Sequence, residues 1–179
     1  TTNMETANST KNIFDKLCRE MKLNTTLETF PKNNSLEDPI DKALEDFNPD
    51  AAIIVVPDHL HSEIAIKIIS KNVHCLIAKP MADNLENAKR MLDASLKANV
   101  ISLVEFHKRF DESNILLKDQ IKRGDIGELL YAVIEYSQQK RIPTEIFKNW
   151  SSKTNVFQYL GVHYVDLLFW ITGFIPEQI

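Results

Sequence analysis

Three short apolar runs, AAIIVV at 51–56, VHCLIA at 73–78 and VISLVEF at 100–106, are separated by two segments that repeat at helical spacing. The first run is unbroken and rich in β-branched residues, the pattern of a strand covered on both faces as in a parallel sheet, and Pro57 ends it. A helix from about 60 to 71 follows, with Ile64, Ala65, Ile68 and Ile69 inward and Glu63, Lys67 and Lys71 outward. Asp83 and Glu86 then form a capping-box pattern that opens a helix to about 98, with Leu85, Ala88, Met91, Leu92 and Ser95 on one face. Strand, helix, strand, helix, strand at this spacing specifies an α/β chain built on a doubly wound parallel sheet with right-handed crossovers.

In open parallel sheets, ligands bind beyond the carboxyl ends of the strands. Pro57-Asp58-His59, Ala78-Lys79-Pro80 and His107-Lys108-Arg109 all emerge at that edge, so the polar residues gather where a site belongs. Two amphipathic helices are expected upstream. One, over 10–22, carries Ile13, Phe14, Leu17 and Met21; the other, over 39–47 behind Asp38-Pro39, carries Ile40, Ala43, Leu44 and Phe47. After residue 110 the pattern changes. A helix from Asp111 to Arg123 stops at Gly124, LLYAVIEYS at 129–137 predicts a strand, and residues 141–155 are irregular. A strongly apolar helix from Phe157 to Ile171 ends at Gly173. A second domain of different build therefore begins at 109.

A chain of 179 residues with 44% hydrophobic content can bury a real core. Its net charge of -4 and the lack of any basic block exclude a nucleic-acid partner. The first ten residues lack the charged start and apolar stretch of a signal peptide, and no apolar run approaches the roughly 20 residues of a spanning helix, so no membrane partner and a cytoplasmic address are expected. Cys18 and Cys75 show no metal or framework spacing and read as two buried thiols.

The stretch AAIIVVPDHLHSEIAIKIISKNVHCLIAKPMADNLENAKRML, with Pro57, His61 and the Lys79-Pro80 pair, resembles the nucleotide-binding domain of the Gfo/Idh/MocA oxidoreductases. GVHYVDLLFWITG resembles the family's second signature, and the two occur in the right order. The similarity runs from roughly residue 38 to the end. It implies NAD or NADP as cofactor and hydride transfer with a sugar, cyclitol or nucleotide-sugar carbinol or ketone. It also implies a Rossmann-like domain over 1–108, the start of an α+β substrate and oligomerisation domain over 109–179, and a homo-oligomer in the complete protein. Two positions depart from the family's pattern: Ala78 stands where a Glu usually precedes the lysine, and Tyr159 where an Asp often lies four residues before His163.

The resemblance implies that Pro57, Asp58, His61, Lys79 and Pro80 line the nicotinamide side. Lys79 is the expected acid-base group, because hydride removal requires the hydroxyl proton to leave and a partly desolvated lysine beside a cationic ring has its pKa pushed toward neutrality. Pro80 biases Lys79 toward extended backbone; the alternative is a surface lysine in a loop. Tyr159, His163 and Asp166 fall at i, i+4 and i+7 on an otherwise apolar helix. If Asp166 accepts from one ring nitrogen of His163, the other is left for substrate with Tyr159 a turn away; otherwise His163 and Asp166 form a satisfied core pair. Asp166 and Arg109 are the polar candidates for substrate contact, with Arg109 alternatively pairing with Asp111 or Glu112. Phe147 and Trp150 can offer flat faces to a sugar ring or pack as core aromatics. A metal at His59 and His61 would need a third ligand, and none is near in sequence.

No GxGxxG occurs, and the first glycine is Gly124. The reading is of an incomplete record of a longer protein, lacking the first strand and the glycine-rich phosphate turn, for which weak dinucleotide binding is expected. The rival reading is a non-catalytic ligand sensor or regulatory relative that keeps the fold without the chemistry.

Overall fold

In the computed structural model of the chain, residues 4–30, 38–148 and 151–178 are described. They divide into two compact units, Thr1–Asp50 and Ala51–Ile179.

The first unit holds α1, Met4–Met21, and α2, Pro39–Phe47. In α1 the stripe of Ile13, Leu17 and Met21 is exposed, while Ala7 and Cys18 are buried. The start of α2 follows from two residues: Pro39 carries no N–H to leave unsatisfied in the first turn, and the Asp38 carboxylate accepts from the Ile40 N–H at 2.8 Å. Asn48 ends it in the left-handed region at φ 42°.

The second unit is built on β1 (Ala51–Ile54), β2 (His74–Ala78) and β3 (Ser102–Glu105), a parallel sheet in the order β1-β2-β3. Ala51 pairs with His74 and Ile54 with Ile77; Cys75 pairs with Ser102 and Ala78 with Glu105. The crossovers are α3 (His61–Ile69) and α4 (Leu85–Ala98), as the spacing of apolar runs requires. Ile54, Ile69, Ile77 and Met91 close the layer between helices and sheet, and burying each such side chain contributes about 1.5–3 kcal/mol. The expectation that β1 is covered on both faces is met on one only: Ile53, facing away from the helices, is 73% exposed, and Leu103 is exposed too. Because α3 and α4 pack together, both crossovers lie on the same side of the strands.

The cap of α4 differs by one residue from the Asp83/Glu86 box. Asn84, in extended backbone, accepts from the Asn87 N–H at 2.8 Å, and Asp83 accepts the Asn87 side-chain amide at 2.7 Å. Asn84 is the residue that immediately precedes the first helical turn, so its short side chain reaches the orphan donor. Both thiols are buried and free, and burial pushes Cys75 up to about 11.

Beyond the sheet, α5 (Glu112–Arg123) ends at Gly124, and α6 (Val162–Thr172) ends at Gly173 at φ 76°, where a side chain would be strained. The two helices pack together, with the Lys118 ammonium 3.7 Å from the Trp170 ring. The helix expected from Phe157 is instead a π-turn, Phe157–Gly161, leading into α6. The expected strand at 129–137 does not form. Its backbone is irregular and Leu130 is 82% exposed, because a strand needs a ladder partner and none of the described residues pairs with it.

Candidate functional site

The carboxyl ends of β1, β2 and β3 release Pro57-Asp58, Lys79-Pro80 and His107-Lys108-Arg109 along one edge, because parallel strands all end on the same side. The Lys79–Pro80 bond is cis. Residues 151–161 and the first turns of α6 meet this edge.

Lys79 donates from Nζ to the backbone carbonyl of Tyr159 and lies 4.0 Å from the centre of that ring. Its amine is pulled below the ordinary lysine value by burial, against which the carboxylates of Asp58 and Glu105 push up. Phe147 meets the same tyrosine edge-on at 5.2 Å.

His163 is buried, with His107 edge-on at 4.5 Å and Phe106 at 6.1 Å between ring centres. Its Nδ1 has no hydrogen-bond partner among the described residues. Burial drives its pKa down to about 4, helped by the positive charges of Lys79, His107 and Lys108 and opposed by Glu105, so the ring is neutral at neutral pH. His107 contacts Glu105 at 3.1 Å.

Asp166 does not reach His163. It takes a two-pronged bond from Arg109, Nε to Oδ2 at 2.8 Å and Nη2 to Oδ1 at 2.5 Å. The expected His163–Asp166 pair is therefore replaced by an Arg109–Asp166 pair. A planar guanidinium matches both carboxylate oxygens at once, which a single ring nitrogen cannot do, and the bond holds the guanidinium pKa still higher than usual.

Asp58 is buried and accepts from the His59 N–H at 3.0 Å, the Thr154 hydroxyl at 2.8 Å and the Gln158 amide at 2.5 Å. The His61 ring, fully buried, faces the Pro80 carbonyl with Nδ1 at 2.7 Å and the Val56 carbonyl with Nε2 at 2.9 Å. That leaves no ring nitrogen for an outside group and ties the ends of β1 and β2 together. His59 approaches Lys153 at 3.5 Å through Nε2. Trp150 lies outside the described residues.

The structure thus gathers Lys79, Tyr159 and His163, pairs Arg109 with Asp166, and turns Asp58 and His61 toward the protein. Glu105, Thr154 and Gln158 were not anticipated from the sequence; Thr154, in a stretch read as irregular, and Gln158, at the start of an apolar helix, gave no signal of their own. An apolar groove of about 260 Å³, lined by Leu129, Tyr131, Leu168, Phe174 and Ile175 among others, shares none of these polar residues and offers no buried acid or base.

The neutral imidazole has a measurable consequence. An unfolded histidine takes a proton near pH 6.5, whereas His163 resists one down to about 4, so stability rises with pH across that window. Stability is then full above pH 6.5 and falls on acidification by at most about 3 kcal/mol from this group. Thermal melts recorded from pH 7 to 4 are expected to show a smaller decline in His163→Gln than in the parent. Parallel declines would show that another group carries the acid sensitivity.

The sequence profile of the Gfo/Idh/MocA group, an oxidoreductase family with an NAD-binding Rossmann fold, matches residues 8–106. Over 161 residues the chain is 27% identical to a myo-inositol 2-dehydrogenase of Thermotoga maritima, covering 90% of this chain and 47% of that protein. Over 137 residues it is 30% identical to a scyllo-inositol 2-dehydrogenase (NAD(+)) of Bacillus subtilis, covering 76% and 39%. The WlbA dehydrogenase of Bordetella pertussis, solved in complex with NADH and UDP-GlcNAcA, shares the fold at a TM-score of 0.70 and 24% identity, over 96% of this chain and 46% of that one. The chain spans less than half the length of either curated relative. No helix among the described residues is long and apolar enough to cross a membrane.

Proposed function

Since this chain belongs to the Gfo/Idh/MocA family of NAD-binding oxidoreductases, we propose that it serves hydride transfer between NAD or NADP and a carbinol or ketone carbon of a sugar, cyclitol or nucleotide sugar. The observation that carries this reading is the convergence of a partly desolvated amine, Lys79, with a buried imidazole whose Nδ1 is unpartnered, His163. An orphaned polar atom in a buried ring is costly unless a ligand group meets it.

The residues at the strand edge fit the nicotinamide end of the cofactor. Pro57, Lys79 and Pro80 flank the place where that ring would lie, while Asp58 and His61 brace the loops behind it. When bound, the nicotinamide accepts or donates the hydride. In the oxidative direction, Lys79 in its neutral form takes the hydroxyl proton of the substrate, and burial favours that neutral form. His163, kept uncharged, hydrogen-bonds the same oxygen, and the Tyr159 hydroxyl is a further donor one turn earlier on the helix. In the same reading, residues 1–108 form the dinucleotide domain, 109–179 open the substrate domain, and the protein works in the cytoplasm as a homo-oligomer.

A second reading, a ligand sensor without turnover, draws on Ala78 and Tyr159, which stand where the family usually carries carboxylates. The deciding experiment supplies the complete gene product carrying these residues with NAD or NADP and a panel of inositols, glucose phosphates and UDP-sugars, and follows nicotinamide absorbance. Reduction with at least one polyol is expected. Dinucleotide binding without reduction across the panel would sink the enzyme reading in favour of the sensor.

A further inference from the structure

Asp58 is a carboxylate with 4% of its surface exposed, and no lysine or arginine among the described residues lies within ion-pair distance of it. A buried carboxylate is tolerated when its lone pairs are met, and here three donors meet them: one backbone N–H on Oδ1, and the Thr154 hydroxyl and Gln158 amide on Oδ2. The two side-chain donors come from 96 and 100 residues away, Thr154 just before the π-turn and Gln158 within it. That segment is itself internally tied, with the Gln158 N–H on the Asn155 side chain at 2.9 Å and the Tyr159 N–H on the Asn155 carbonyl at 2.8 Å. Gln158 is the residue just before Tyr159, whose carbonyl and ring hold the Lys79 ammonium.

These contacts form one closed circuit: Asp58 at the end of β1, the segment 154–159, Lys79 at the end of β2, and the pairing of β1 with β2. We propose that Asp58 is a positioning residue for Lys79, pinning through Thr154 and Gln158 the turn on which the amine rests, with its carboxylate held at the same edge of the sheet. The role of the amine in proton transfer is taken from the functional reading above; the circuit itself is not. The charges acting on Lys79 are the carboxylates of Asp58 beyond β1 and Glu105 on β3, with the neutral His163 ring on α6 and the Tyr159 ring beside the amine, so removing the Asp58 charge leaves burial opposed by Glu105 alone.

The test labels the folded chain with a small amine-acylating reagent over a range of pH and measures each lysine by mass spectrometry, with exposed lysines as internal reference. In Asp58→Asn, Lys79 is expected to react several-fold faster than in the parent, and the midpoint of its pH profile is expected to move to lower pH. An unchanged rate and midpoint in the folded variant overturns the proposal. A rise shared by all lysines with no shift in the Lys79 midpoint also overturns it, since that is general loosening. If Asp58→Asn does not fold, Gln158→Leu decides: it keeps the Asp58 charge and two of its donors, and faster Lys79 labelling supports the pinning whereas parental labelling refutes it. Labelling reads the amine and not turnover, so a complete protein that binds dinucleotide without turnover, beside the expected labelling, would reject hydride transfer and leave the circuit standing.

Discussion

Replacing Lys79 with methionine is expected to lower turnover of the complete protein by about 100- to 10,000-fold, the range for losing a positioned general base. Methionine fills a similar volume and lies well against the Tyr159 ring, so it deletes the titrating amine and one hydrogen bond while keeping the packing. The lost bond to the Tyr159 carbonyl costs about 1.5–3 kcal/mol, a melting shift of several degrees and not collapse. Steady-state turnover with the best substrate, dinucleotide calorimetry and a thermal melt together separate the cases. Turnover within a few-fold of the parent would remove Lys79 from the chemistry and favour the sensor, while loss of the fold would make the lysine structural.

The second large effect is on stability. Arg109→Met strands the Asp166 carboxylate, whose side chain is 8% exposed, without its two-pronged partner. Breaking a buried pair this way costs about 3–5 kcal/mol, and because Arg109 is 30% exposed the expected loss is nearer 2 kcal/mol. For a chain of this size that is a melting decrease of about 4–8 °C. The double variant Arg109→Met/Asp166→Leu removes the orphaned charge together with its partner and is expected to recover most of the loss. Denaturant unfolding of the parent, the single and the double variant measures this directly. A double variant no more stable than the single one would mean that the pair is not what holds Asp166.

The strands, their crossovers and the edge that carries Lys79 were legible because each follows from local periodicity: apolar runs for β1, β2 and β3, and helical spacing for α3 and α4. The helix stops at Gly124 and Gly173 follow from single residues. What could not be read were choices among partners far apart in sequence. Asp166 had His163 three residues away and took Arg109 from 57 residues away, because a guanidinium satisfies both oxygens. His61 resembled a cofactor residue by position, yet the carbonyls of Val56 and Pro80 occupy both its nitrogens. LLYAVIEYS has the composition of a strand, but composition cannot supply the ladder partner on which a strand depends.

The short loop after β3 grips α6 twice, with Phe106 and His107 against His163 and Arg109 on Asp166. For a lineage drifting in sequence, these two segments are thereby tied into one inheritance. An exchange at 109 leaves the Asp166 carboxylate without its partner unless 166 changes with it, as in a mirrored acid and base, and a change of ring at 107 alters the setting of the buried imidazole. Divergence is therefore expected to couple positions 109 and 166, because a lone change at either carries the loss of stability that a paired change avoids.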